Sequence, residues 1–312
     1  MCHNRWCFVF LLCFVVCAQV AAQQPTPGEV WYEDDFERTA QIYRISGALS
    51  TPGETWQVTS GSAFIIEEGI GRTISEAHEG LLGPDSPFPF NRAYESYKSS
   101  ASTFGEAGNP ATNGQAPQNV FRVHNPEWKT YGDFAVETRF RATKIRWRPG
   151  ISGGFGVSLL LNWNSAEFPT SYDYRDWYVV QLRFVEANRT WQIARMSVHA
   201  YRAGLPSSAN YFNPIPGRYI DTPGLPGMAE NTWYTVRVEV REKTDMLELM
   251  IWCKTDEDAD WRYIGTVYDN GRLSLIYQGK AYFAGPVNNA GVVSLRSDYA
   301  DVEFDYVRVE KL

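Results

Sequence analysis

Polar side chains recur at alternate positions of runs otherwise built from Val, Leu, Phe and Tyr. They are Glu137 and Arg139 in DFAVETRFRA, Gln181 and Arg183 in YVVQLRF, and Arg195 with His199 in WQIARMSVH. Residues two apart on a strand share a face, so this spacing aligns forked donors and acceptors along one surface. Aromatic residues dress the neighbouring loops, with Trp163 in LLNWNS and Trp177 in SYDYRDW. Sugar rings present apolar C–H faces that lie on aromatic rings, while their hydroxyls need donors and acceptors such as Arg, Asn and Gln. The chemistry this set suits is recognition of a polysaccharide or glycan. The phase of alternation predicts that Glu137, Arg139, Gln181, Arg183 and Arg195 lie on adjacent strands of one sheet and face a common groove. The same pattern also describes a solvated face knitted by cross-strand ion pairs.

Cleavage chemistry would ask more of these residues. A carboxylate pair such as Glu137 and Glu239, or a set of Arg, His and Tyr, would supply a general acid and base. The chain carries no HExxH, no GxSxG, no clustered His or Cys ligands and no phosphate loop. His199 lies alone in a strand-like run, where a structural hydrogen bond is the ordinary role. Cys253 sits in the apolar run LELMIWC with no base nearby, which marks it as a small buried hydrophobe rather than a nucleophile. A glycan-recognition module, a glycan-cleaving enzyme and a purely structural envelope protein therefore stay open, and no catalytic residue is assigned.

The elements that must position these residues read as strands. After residue 130 come nine short runs rich in Val, Ile, Tyr, Phe and Trp, from DFAVETRFRA to DVEFDYVRVEKL, separated by Gly, Pro, Asn or Asp. No amphipathic helix interrupts them. The expectation is an all-β, two-sheet antiparallel sandwich, with further strands at VWYEDDF, TWQVTS, SAFIIEE and QNVFRVH. Residues 79–118 and 203–230, rich in Gly, Pro, Ser and Asn, are expected to be long loop excursions. The apolar run from Trp6 to Ala18, preceded by Arg5 and followed by small residues to Ala22, predicts a secretory signal peptide over 1–22. Residues 23–312 then form one domain, secreted or periplasmic, without a membrane span in the mature chain. The net charge of −7 over all 312 residues, with no basic run, argues against a nucleic-acid partner.

Several segments resemble a known superfamily. The closing DVEFDYVRVEKL is similar to the last strand of concanavalin A-like lectin/glucanase jelly rolls, and WYEDDFER is like the opening of LamG-like and 3-keto-disaccharide-hydrolase-like domains. YGDFAVETRFRA and DWYVVQLRF resemble internal strands of the same group. The resemblance covers residues 30–66 and 119–312, and it implies a jelly-roll sandwich with carbohydrate as the usual ligand class. It also implies one structural calcium ion, for which Asp35 and Asp305 fall where ligands would lie. Family 16 glycoside hydrolases carry alternating carboxylates on a central strand. Glu33, Asp35 and Glu37 match that spacing but lie on the opening strand, and Asp34 would have to point into an apolar core. AYFAGPVNN resembles the lyase segment of polysaccharide lyase family 7 at Tyr282, Phe283, Gly285 and Asn288, yet it lacks the second Tyr and the Lys that lyase chemistry uses.

Overall fold

A computed structural model describes residues 24–38, 41–44, 56–60, 63–73, 118–123, 132–145, 155–163, 177–184, 190–196, 211–212, 219–221, 229–269, 273–277, 280–284, 291–298 and 300–312. The described elements are strands: β1 Glu29–Asp34, β2 Gln41–Arg44, β3 Trp56–Ser60, β4 Ala63–Glu67, β5 Ile70–Thr73, β6 Gln118–Val123 and β7 Phe134–Ile145. They continue with β8 Phe155–Trp163, β9 Trp177–Phe184, β10 Thr190–Met196, β11 Tyr211–Phe212, β12 Tyr219–Asp221 and β13 Tyr234–Lys243. The last are β14 Met246–Thr255, β15 Arg262–Asp269, β16 Leu273–Tyr277, β17 Lys280–Ala284, β18 Val292–Asp298 and β19 Ala300–Lys311. All nine runs read after residue 130 are strands, as are the four read before it. Among the described residues there is no helix, and so none long and apolar enough to cross a membrane. The signal-like segment 1–22 lies outside the described residues.

Every paired strand is antiparallel. One sheet has nine strands in the order β15-β14-β13-β7-β19-β5-β4-β2, with β1 also on β19. The other has eight in the order β11-β10-β9-β8-β18-β6-β3, with β12 also on β10, and β16 and β17 form a separate pair. Side-chain alternation turns Phe134, Val136, Val238, Ile251 and Val307 of the first sheet inward. They join Tyr178, Val180, Leu182, Val293 and Leu295 of the second in one buried cluster. That shared cluster makes the two sheets a sandwich. The Tyr178 hydroxyl crosses it to donate to Asp269 at 2.5 Å, pairing two polar groups that burial would otherwise penalise. Cys253 is buried in the same cluster, and burial pushes its thiol far above the ordinary range, as befits an inert core residue.

Two local features fix the first sheet. Glu68 and Gly69 both adopt positive φ, 54° and 72°, and so make the two-residue hairpin between β4 and β5 whose twist suits the flanking strands. Phe36 also has positive φ, at 59°, unusual for a bulky residue. Its N–H is held by the Asp34 carboxylate at 2.9 Å, and its ring is buried against Trp56 and Phe64 with centroids 5.7 Å away in both cases. The segment read as a loop over 203–230 is partly sheet: β11 and β12 pair with the two ends of β10 and so extend the edge of the eight-stranded sheet.

Candidate functional site

The structure divides the groove expected from alternation. Glu137 and Arg139 lie on β7 of the nine-stranded sheet, whereas Gln181, Arg183 and Arg195 lie on β9 and β10 of the eight-stranded one. Alternation reports which side of a strand a residue occupies, but not which sheet the strand joins. Register makes a second correction. Arg195 is opposite Tyr178, Ile193 opposite Val180 and Trp191 opposite Leu182, so Arg195 occupies the phase of core residues. Gln181 faces Gln192 instead, in the outward phase, which Arg183 and Trp177 share. Trp163 and Trp177 are placed at ends of β8 and β9. His199 lies outside the described residues.

On the outward face of the nine-stranded sheet the charges satisfy one another. Arg237, on β13 opposite Glu137, donates to Glu310 at 2.8 Å and to Glu137 at 3.3 Å and lies 3.6 Å from Glu239. Burial opposes its positive charge, but these three carboxylates outweigh burial and raise its pKa above the usual guanidinium value. Arg241 donates to the other oxygen of Glu239 at 2.8 Å, and the Tyr306 hydroxyl donates to Glu137 at 2.6 Å. Burial and the neighbouring Glu137 carboxylate push that phenol far above its ordinary range.

The amino-terminal arm closes this network. The Thr26 N–H donates to Glu239 at 2.5 Å, its carbonyl accepts from Arg237, and its hydroxyl accepts from Arg241 at 2.7 Å. Glu239 is 1% exposed as a result. A carboxylate pair of Glu137 and Glu239 is therefore unsuited to cleaving a glycosidic bond. Arg237 stands between the two, and substrate cannot reach the second.

Arg139 donates to Asp305 and to Asp256, both at 2.7 Å, and its guanidinium lies 4.4 Å from the Trp233 ring centroid; Arg141 lies 4.7 Å from the same ring and pairs with Glu303. Asp305 is thus beside a cation. Asp35 uses one carboxylate oxygen to accept the Glu37 N–H at 3.0 Å. Among the described residues no three acidic, His or Cys side chains gather around a common point. A calcium ion needs several hard oxygens and an uncompensated negative site, so Asp35 and Asp305 do not fit the ion that the resemblance implied.

Asp34 explains the EDDFE motif differently. It does point inward, at 5% exposure, but with its oxygens saturated by the Arg38 guanidinium at 2.8 Å twice, by Trp56 Nε1 at 2.6 Å and by the Phe36 N–H. Burial alone would raise its pKa; the hydrogen bonds from Arg38, Trp56 and Phe36 win and lower it. The signal available in sequence was the Arg four residues on.

On the outward phase of the eight-stranded sheet, the register aligns a row of polar residues. Gln192, Gln181, Ser158 and Arg296 stand opposite one another in turn on β10, β9, β8 and β18. At a strand spacing near 4.8 Å the row is about 14 Å long. The next row inward in phase is apolar throughout: Ile193, Val180, Leu159 and Leu295. Gln181 and Arg296 are 7% and 6% exposed although they point away from the core. Nearby on the same phase, the Ser294 hydroxyl is buried with no hydrogen-bond partner. Nothing in the sequence of GVVSLRS marks Arg296 or Ser294 as a neighbour of Gln181, since the pairing of β18 with β8 joins segments far apart in the chain.

What the fold defines is a two-sheet antiparallel β-sandwich with one polar row outside the smaller sheet. No family profile and no curated protein matches the chain. Among solved structures, it is similar to the VIP36 exoplasmic/lumenal domain in its Ca2+-bound form, at 10% identity over 83% of this chain and 84% of that one, with a TM-score of 0.42. The Ca2+/Man2-bound form of that domain gives 11%, 88%, 87% and 0.43. The metal-free Emp46p carbohydrate recognition domain gives 10%, 82%, 88% and 0.40. All three similarities lie at 10–11% identity and below a TM-score of 0.5.

Proposed function

We propose that the chain is an exported carbohydrate-binding protein that holds a polysaccharide or glycan along the outward face of its eight-stranded sheet. The observation that carries this reading is the row Gln192, Gln181, Ser158 and Arg296, set side by side across four strands. Amides, a hydroxyl and a guanidinium offer both donors and acceptors in forked geometry, which is what ring hydroxyls require. On the opposite sheet the carboxylates and guanidiniums pair with one another, and Thr26 covers Glu239. The strands β11 and β12, which bring Tyr211 and Tyr219 to the edge of this sheet, extend the surface beside the row. The apolar stretch Trp6–Ala18 supports export and hence contact with extracellular or periplasmic glycans.

Affinity electrophoresis of the purified protein through gels containing laminarin, mannan, xylan or alginate tests the proposal. We expect retardation in at least one gel, reduced several-fold by Gln181→Ala when scaled to the folded fraction. Equal mobility in all gels, or retardation that Gln181→Ala leaves intact, overturns the site. Release of reducing ends, or absorbance near 235 nm, from the same polysaccharides would replace binding by cleavage.

A further inference from the structure

We propose a second, independent glycan-binding surface: an aromatic strip along the outward side of β15, on the opposite exterior of the sandwich from the polar row. β15 is the last strand of the nine-stranded order. Its outward positions are set by pairing with β14: Tyr263 is opposite Trp252, Thr266 opposite Met250 and Tyr268 opposite Glu248. Tyr263 and Tyr268 are 42% and 52% exposed, while Trp252 and Met250 on the neighbouring strand are buried. The four strand steps from Trp252 to Glu248 separate the two exposed rings by about 13 Å. Trp261, carrying the Lys254 ammonium 4.6 Å from its ring centroid, prolongs the strip past Tyr263.

The rings are held in place. The Tyr263 hydroxyl is hydrogen-bonded to the Thr266 hydroxyl, and its ring packs 5.9 Å from that of Trp252. The Tyr268 hydroxyl is hydrogen-bonded to Glu248, which also pairs with Lys243 at 3.3 Å. An exposed tyrosine ordinarily loses rotamer freedom when something stacks on it; pinning both rings beforehand removes that cost. Fixed, exposed aromatic faces in a line, with hydroxyl, carboxylate and ammonium groups between and beside them, match the alternating apolar and polar faces of a chain of sugar rings.

Other occupants fit less well. Strand addition by another chain is opposed by the bulge at Ile251/Trp252, which twists the edge, and by the charged Arg262–Asp258 pair at its start. A protein interface would need a contiguous apolar area of several hundred Å² on each side, and here the large apolar side chains between the rings are buried already. Asp256, Glu257, Asp258 and Asp260 crowd the turn before β15, so the glycan taken is a neutral one.

Mobility in laminarin, mannan and xylan gels is compared for the wild type, the Tyr263→Ala/Tyr268→Ala variant and Gln181→Ala, with sedimentation velocity on each. Both tyrosines are exposed, so the double variant should keep its melting temperature within a few degrees. We expect it to lose at least threefold of the retardation in one neutral gel that Gln181→Ala only partly reduces. Wild-type mobility unaffected by the tyrosine substitutions, or no wild-type retardation in any neutral gel, overturns the strip. A wild-type dimer that the double variant converts to monomer also overturns it, assigning the strand to self-association. Loss of binding in Gln181→Ala alone would leave the polar row standing without the strip.

Discussion

The two outward faces of this sandwich arrange their polar residues differently. On the nine-stranded sheet, Arg237 and Arg241 meet Glu137, Glu239 and Glu310, and Thr26 seals the set from above. On the eight-stranded sheet, Gln192, Gln181, Ser158 and Arg296 stand opposite one another in register across four strands. The difference teaches that polarity on a strand face is informative only once its partners are counted. A guanidinium flanked by three carboxylates, such as Arg237, belongs to the fold.

The contrast can be broken most severely at Arg237. Arg237→Met strands Glu137, Glu239 and Glu310 beside one another under the amino-terminal arm, and we expect a loss of about 3–5 kcal/mol in urea unfolding. Retardation by polysaccharide, scaled to the folded fraction, should not change. Asp34→Ala comes next. It leaves Trp56 Nε1 and the Phe36 N–H buried without acceptors, for a loss of about 3 kcal/mol at pH 7. Because the folded pKa of Asp34 lies below the ordinary 3.8, its contribution is complete above that value and disappears as pH falls through the folded pKa. The deficit of Asp34→Ala against wild type should therefore shrink in urea titrations near pH 3. The smallest effect sharpens the other face: Ser294→Ala removes a buried hydroxyl without a partner and should raise stability by up to about 1 kcal/mol, read as a higher urea midpoint at unchanged slope.

Strand existence was legible because each run had a strong two-residue period. Val236, Val238 and Val240 do point inward, and Arg237, Glu239 and Arg241 do not. What alternation lacked was long-range pairing. β7 sits between β13 and β19, far along the chain from it, and nothing in DFAVETRFRA announces those neighbours. Arg195 went astray for a related reason: one strand's phase was read by its charged residue, while the register with Tyr178 sets it by the core. β16 and β17 went unread as strands, although AYFAGPVNN drew notice for other reasons. Asp34 was expected to conflict with an interior position, and the donors that resolve the conflict come partly from Trp56, twenty-two residues away and on the other sheet. Of the proposed polar row, Gln181 is legible in sequence as an outward polar residue, whereas Arg296 joins it only through the pairing of β18 with β8.

The position of β19 has a consequence in time. It follows every other strand in the chain, yet it lies inside the nine-stranded sheet, with β7 along one side and β1 and β5 along the other. Until residues 300–311 emerge from the ribosome, β7 has no neighbour on that side and β1 has none at all. Such widely separated pairings are slow to form, because a long loop must close before any contact rewards it. The pairings of β19 with β7 and β1 thus follow those of the sequence-adjacent strands β13-β14-β15 and β8-β9-β10, and the middle of the nine-stranded sheet is the part that closes last.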